Sequence, residues 1–198
     1  MSISGVNYPW WHYGGDFGPT VWGGHMGVAT HAAEIGDDLA RIAAAGVHVV
    51  RWFVFTDARG GLAIDGAGWP AGFLPGTLED LDTLFELALA AGVRLVPVLF
   101  DHTLAFDRHL AAGAALGGHA AWLATPEGHA HLIDKVVAPL AGRYGAAGSH
   151  AHLGTAVHAW DLFNEPDWIV AELHPGPQVA RPVRYDLFLR WARQAAAT

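Results

Sequence analysis

Short apolar runs alternate along this chain with longer stretches in which apolar residues recur every third or fourth position. These are the periods of buried strand and amphipathic helix. Two segments share one grammar: "RIAAAGVHVVRWFVFTD" (41–57) and "LALAAGVRLVPVLFDH" (87–102). In each a helix ends in Ala-Ala-Gly, a strand starts at once on Val, and the strand closes on polar residues. Gly46 and Gly92 suit the left-handed residue that ends a helix. They lie about 46 residues apart, the length of one strand–loop–helix unit with a long loop.

The remaining units follow from the same periods. "GVNYP" (5–9) is a short first strand, and a helix covers 31–45 with Leu39 and Ile42 on its inner face. Thr77 with Asp80 three residues on predicts a capping box for a helix over 78–91. Thr125-Pro126-Glu127 predicts an N-cap, a proline in the first turn and an early acid, opening a helix to 143. A fourth strand is expected over 155–163 and a fourth helix over 183–196. Apolar strands alternating with helices give an α/β fold with a parallel sheet. The strand-to-helix loops (9–30, 56–76, 101–124, 166–182) are all long. That asymmetry predicts TIM-barrel-type (β/α) units, whose active sites sit on those loops. A doubly wound sheet is the second choice, without a G-x-G-x-x-G after the first strand. About four of the eight units of a barrel are present, within one domain over 1–198.

Composition narrows the function. Of 198 residues, 52% are hydrophobic and 15% charged, which predicts a core-rich globular chain. A net charge of −8 with one lysine, Lys135, argues against nucleic acid, whose phosphates need clustered cations. The absence of cysteine removes disulfide and thiolate chemistry. The opening Met-Ser-Ile-Ser-Gly-Val-Asn lacks the pattern of a signal peptide, and no apolar run approaches the ~18 residues of a membrane span. A cytoplasmic location is the default expectation, with secretion left open.

Candidate chemistry concentrates in "AWDLFNEPDW" (159–168), where an apolar strand ends on Asn164-Glu165-Pro166. Alternation would point Asn164 and Glu165 to opposite faces unless the pleat breaks there. Pro166 is expected to keep Glu165 extended. Cleaving a glycosidic bond needs a carboxylic acid still protonated near neutrality. Raising a glutamic acid from ~4.3 to ~6–7 takes about 3 kcal/mol of environmental bias. Burial beside tryptophan and a second carboxylate are the expected sources.

"DLFNEP" resembles the fourth-strand motif of the retaining glycoside hydrolases with (β/α)8 barrels, the cellulase and mannanase type of family 5. "VVRWF" is similar to that clan's second strand, with its arginine at Arg51. "PVLFDH" is similar to the third, ending in His102, and "GVNYPW" to the first. The resemblance implies hydrolysis of O-glycosidic bonds, of β linkage, with no cofactor. It makes Glu165 the general acid/base and has Asn164 hydrogen-bond the sugar 2-hydroxyl. Arg51 would orient the nucleophilic carboxylate, and His102 would line the sugar site. In that clan the nucleophile ends the seventh strand, which has no counterpart among four units. Asp57, Asp101, Asp161 and Asp167 do not match its position. The chain alone is therefore expected to be inactive, with sheet edges and an apolar interior to be covered by self-association or a C-terminal half. A non-catalytic carbohydrate-binding or scaffold protein on the same fold is the alternative.

Aromatic content agrees with a carbohydrate ligand. Of nine tryptophans, Trp10, Trp11, Trp22, Trp69, Trp122 and Trp168 fall in or beside the long loops, with Tyr13. Aromatic planes suit the C–H faces of sugars. Trp10 and Trp168 are the expected substrate-binding aromatics; Trp52, Trp160 and Trp191 read as packing. Thirteen histidines raise a metal question. His129 and His131 sit two apart on a predicted helix and share no face. His150 and His152 precede the fourth strand, away from the chemistry. No metal site is expected.

Overall fold

A computed structural model describes residues 3–198; the first two residues of the N-terminal reading lie outside it. Four strands form a parallel sheet in the order β1 (Gly5–Asn7), β2 (Val49–Phe53), β5 (Arg94–Asp101), β8 (Asp161–Asn164). Their neighbours run parallel throughout, with Asn7 beside Arg51, Arg51 beside Val96, and Asp101 beside Asn164. This is the (β/α) arrangement expected, with four of a barrel's eight units.

Helices cover one face. In α1 (Ala32–Ala44) Ile35 and Leu39 are fully buried, and in α2 (Thr77–Ala91) Leu81, Leu84 and Phe85 join Val50 and Leu95 in a single core. Burial alternates along β2, where Val50 and Trp52 are inaccessible while Val49 and Arg51 are partly exposed. One sheet face is thus sealed and the other left open, as in a barrel wall seen from its lumen. Gly46 and Gly92 both adopt positive φ, 81° and 74°, at the ends of their helices.

Two helical expectations need correction. Thr77 and Asp80 form no capping box. Gly76, with φ 86°, precedes the helix, and the buried Thr77 hydroxyl donates to Gly61 O at 3.0 Å. Asp80 instead accepts from Gly18 N (2.8 Å) and Ala29 N (2.9 Å) and meets His25 Nε2 at 2.6 Å. Its charge anchors the first long loop rather than its own helix. The helix over 126–143 is interrupted: α4 (Pro126–Leu132) and α5 (Ala138–Tyr144) are joined by a π turn at Ile133–Val137. Pro139 has no N–H to continue the α ladder and its ring crowds the preceding carbonyls, which wider turns relieve.

The fourth strand is shorter than 155–163. A short helix, α6 (Ala151–Gly154), leads in, Val157 only bridges Leu95, and pairing is continuous from Asp161 to Asn164. The last helix, α7 (Tyr185–Ala196), follows, with Trp191 buried edge-on to Phe163 and Phe100. The long loops carry two antiparallel hairpins that the pattern did not predict: β3 (Leu62–Ile64) with β4 (Pro70–Phe73), and β6 (His109–Ala111) with β7 (Ala114–Leu116). A short helix, α3 (Ala121–Ala124), follows the second. Among the described residues, no helix is long and apolar enough to cross a membrane.

Candidate active site

Glu165 sits where β8 ends, and the backbone there departs from the extended form expected. Its φ and ψ are 51° and 55°, the left-handed region. That conformation costs a residue with a Cβ roughly 1–2 kcal/mol, and the following proline restricts it further. Strain held at one acid is a pointer toward function. The pleat breaks one residue earlier. Asp161 and Asn164 would face opposite ways on an ideal strand, yet Arg51 reaches both. Its Nε and Nη2 donate to Asp161 Oδ2 at 3.2 and 2.7 Å, and Nη2 also donates to Asn164 Oδ1 at 2.9 Å.

From Asn164 the polar chain continues. Asn164 Nδ2 donates to Asp101 Oδ2 at 2.7 Å, and Asp101 Oδ1 accepts from Thr103 N (3.0 Å) and Thr103 Oγ1 (2.7 Å). His102 Nδ1 lies 3.2 Å from Asp101 Oδ1 and 3.3 Å from Glu165 Oε2. Neither approach has the direction of a good hydrogen bond, so His102 bridges the two acids chiefly by charge. Asp161, Arg51, Asn164, Asp101, His102 and Glu165 therefore form one connected set across β2, β5 and β8.

The electrostatics follow from that set. Burial alone would raise the Asp101 carboxyl, but contacts from His102, Thr103 and Asn164 outweigh it and pull it down to about 2. Burial would lower His102, but Asp101, Glu165 and Asp167 carry it above its ordinary value. His102 is thus biased toward the imidazolium, the form that holds two carboxylates together. Glu165 itself is not enclosed as expected, since its side chain is 54% exposed.

Aromatic side chains complete the rim. Trp168, 41% exposed, stacks on His102 with centroids 5.4 Å apart. Gly176 backs that indole, where a Cβ would come within 2.8 Å of the ring. Phe106 meets His102 edge-on at 5.2 Å. Trp10 packs on Phe53 at 5.3 Å, and Arg51 lies 4.8 Å over the same Phe53 ring. All six predicted site residues are therefore joined by contacts around the ends of β2, β5 and β8. Trp122 is buried and donates Nε1–H to Gly68 O at 2.8 Å, a wall rather than a rim.

Two residues were missed by sequence reasoning. Asp161 and Asp101 were noted only as carboxylates unlike the nucleophile, yet they fix Arg51, Asn164 and His102. Each is an acid interrupting an apolar strand, a signal that could have marked them. Asp101, His102 and Glu165 also offer one ligand atom each, all within 4.8 Å of one another, a grouping able to hold a divalent cation. The His-x-His residues lie elsewhere: His129 Nε2 meets Leu123 O at 2.8 Å, and His150 Nε2 meets Arg143 Nη2 at 3.0 Å.

The architecture has close parallels among solved structures. It matches beta-1,4-D-mannanase from Cryptopygus antarcticus with a TM-score of 0.75 at 18% identity, over 98% of this chain and 52% of that one. It matches beta-mannanase from the blue mussel Mytilus edulis with a TM-score of 0.68 at 18% identity, over 86% and 42%. Endo-1,4-beta-mannanase from Eisenia fetida gives 0.62 at 23%, over 85% and 41%. What they share with this chain is a fold. The chain spans about half the length of these proteins or somewhat less. No protein-family model matches the sequence, and no curated protein is similar to it.

Proposed function

We propose that this domain is the acid-donating part of a retaining glycoside hydrolase acting on β-linked sugars, with β-1,4-mannan the leading substrate. The observation that carries the reading is the placement of Glu165. A strained acid ends a parallel strand, lies 3.3 Å from His102 Nδ1, and belongs to a polar set reaching back to Arg51. The mannanase parallels support the choice of sugar.

In this reading Glu165 protonates the leaving glycosidic oxygen and later takes a proton from water, a step worth roughly 10²–10⁴ in rate. His102, set between Glu165 and Asp101, keeps the acid aimed. Asn164 has one N–H on Asp101 and its oxygen on Arg51, so its second N–H remains for a sugar hydroxyl. Trp168 and Trp10 supply stacking surfaces. A saccharide seated against Trp168 would cover the exposed Glu165 carboxyl.

Retention needs a second carboxylate about 5–5.5 Å away. Asp101 is near enough, but Thr103 and Asn164 occupy both of its oxygens and it is strongly acidic. It is better placed as a positioning residue than as the nucleophile. Residues 1–198 are therefore expected not to turn over 4-nitrophenyl β-mannoside or mannohexaose. Activity gained when four further (β/α) units of a mannanase barrel are supplied, and lost with Glu165→Gln, is the supporting result. Turnover by 1–198 alone, abolished by Glu165→Gln, would refute the assignment of Asp101. A second reading, carbohydrate binding without cleavage, is favoured by those occupied oxygens and predicts binding with no activity in either case.

A further inference from the structure

The two unpredicted hairpins enclose a cleft that the site around Glu165 does not use. Its volume is about 520 Å³, and it lies between the 65–69 turn of one hairpin and the segments flanking the other. Both hairpins follow strand ends on the face that carries Glu165, and the loop that starts at His102 reaches Arg108 in the cleft.

Its polar groups are held in place but not consumed. Asp65 Oδ1 accepts from Ala67 N and Trp69 N, both at 2.9 Å, which lowers its pKa and leaves Oδ2 without a partner among the described residues. Arg108 forms no ion pair among the described residues. His119 is driven down to about 4, by burial first and then by Arg108 against the pull of Asp57, so it is neutral at pH 7. A neutral imidazole has one donor and one acceptor. Trp69 lines the cleft with one face backed by His131, nearly parallel at 5.4 Å. The walls are pinned: Trp122 Nε1 donates to Gly68 O at 2.8 Å, and Trp22 Nε1 donates to Ala111 O at 2.9 Å.

We infer that this cleft binds a neutral sugar ring of an extended saccharide, remote from the bond at Glu165. A hydroxyl both donates and accepts, and the cleft offers a donor-only guanidinium, an acceptor-only carboxylate, an imidazole that does both, and an aromatic plane. An anion fits less well, because the ionised Asp65 opposes it and Arg108 is the one lining cation free of an ion pair among the described residues. The inference rests on the carbohydrate reading of the Glu165 site and extends it to longer chains.

Calorimetric titration of residues 1–198 with mannohexaose and mannobiose tests it. Arg108→Ala removes the exposed donor. Gly66→Trp places an indole on the cleft-lining turn, at a position where an added Cβ meets nothing within 4 Å and φ is not positive. The expected result is a loss of fivefold or more in mannohexaose affinity for both variants, with mannobiose affinity and melting temperature unchanged. Wild-type affinity in both variants, while Trp168→Ala weakens binding, overturns the cleft and leaves the Glu165 site standing. Binding of neither saccharide by the wild type overturns both. Tight binding of inorganic phosphate that Arg108→Ala abolishes overturns the sugar assignment in favour of an anion.

Discussion

Asp101→Asn removes one charge from the centre of the polar set while keeping its shape. In the folded chain the Asp101 carboxyl is held at about 2 instead of its ordinary 3.8. Its side chain is only 12% exposed, so solvent screens the effect little. At about 1.4 kcal/mol per pH unit, the gap contributes about 2 kcal/mol to stability. Because the folded value is depressed, that contribution is complete above 3.8 and is lost as the pH falls toward 2. About half remains at pH 3. The variant should therefore be less stable than wild type by about 2 kcal/mol at pH 7 and by about 1 kcal/mol at pH 3. Urea unfolding followed by tryptophan fluorescence reads both values. An equal difference at the two pH values, or an Asn variant as stable as wild type at pH 7, would show that Asp101 is not held by His102, Thr103 and Asn164.

Three further outcomes follow from the same geometry. His102 is raised in the folded state, so its contribution is present below 6.5 and fades as the pH rises through the folded value; the stability difference between wild type and His102→Gln should be largest near pH 5.5 and shrink as the pH rises, down to what the ring's packing on Trp168 and Phe106 leaves. Arg51→Lys keeps a charge but cannot serve Asp161 twice and Asn164 as well, and with both partners of the ion pair under a third exposed it should cost about 1 kcal/mol by urea unfolding. Gly61→Ala forces a Cβ to 2.5 Å from Phe17 O at φ 76° and should lower the melting temperature by several degrees or more, whereas Gly66→Ala, in open space, should leave it unchanged.

The parallel (β/α) order was legible because Gly46 and Gly92 punctuate it and because the apolar runs around Val50 and Leu95 are continuous. The hairpin at 109–116 was not. Its turn is Ala112-Gly113, both at positive φ, in place of the Asn-Gly that usually marks such a turn. The segment 155–160 is apolar enough to read as strand, but before Asp161 it pairs only in one isolated bridge at Val157, through Ala156 O and His158 N to Leu95. At the site, residue types and chain order pointed to Glu165, Asn164, Arg51 and His102. They did not reveal that Asp161 and Asp101 hold them, because those partners are 110 and 63 residues away from Arg51 and Asn164 respectively. Pro166 suggested an extended Glu165; its φ and ψ, 51° and 55°, are left-handed instead.

The most direct measurement is an NMR titration of residues 1–198 with mannohexaose, following the Glu165 side-chain carboxyl, the His102 imidazole and the Trp168 indole N–H. A carbohydrate site at the end of β8 should shift all three together and leave His150 and His152, before the other end of that strand, unmoved. Saturating saccharide that leaves Glu165 and His102 unchanged, or that acts on His150 instead, would contradict it.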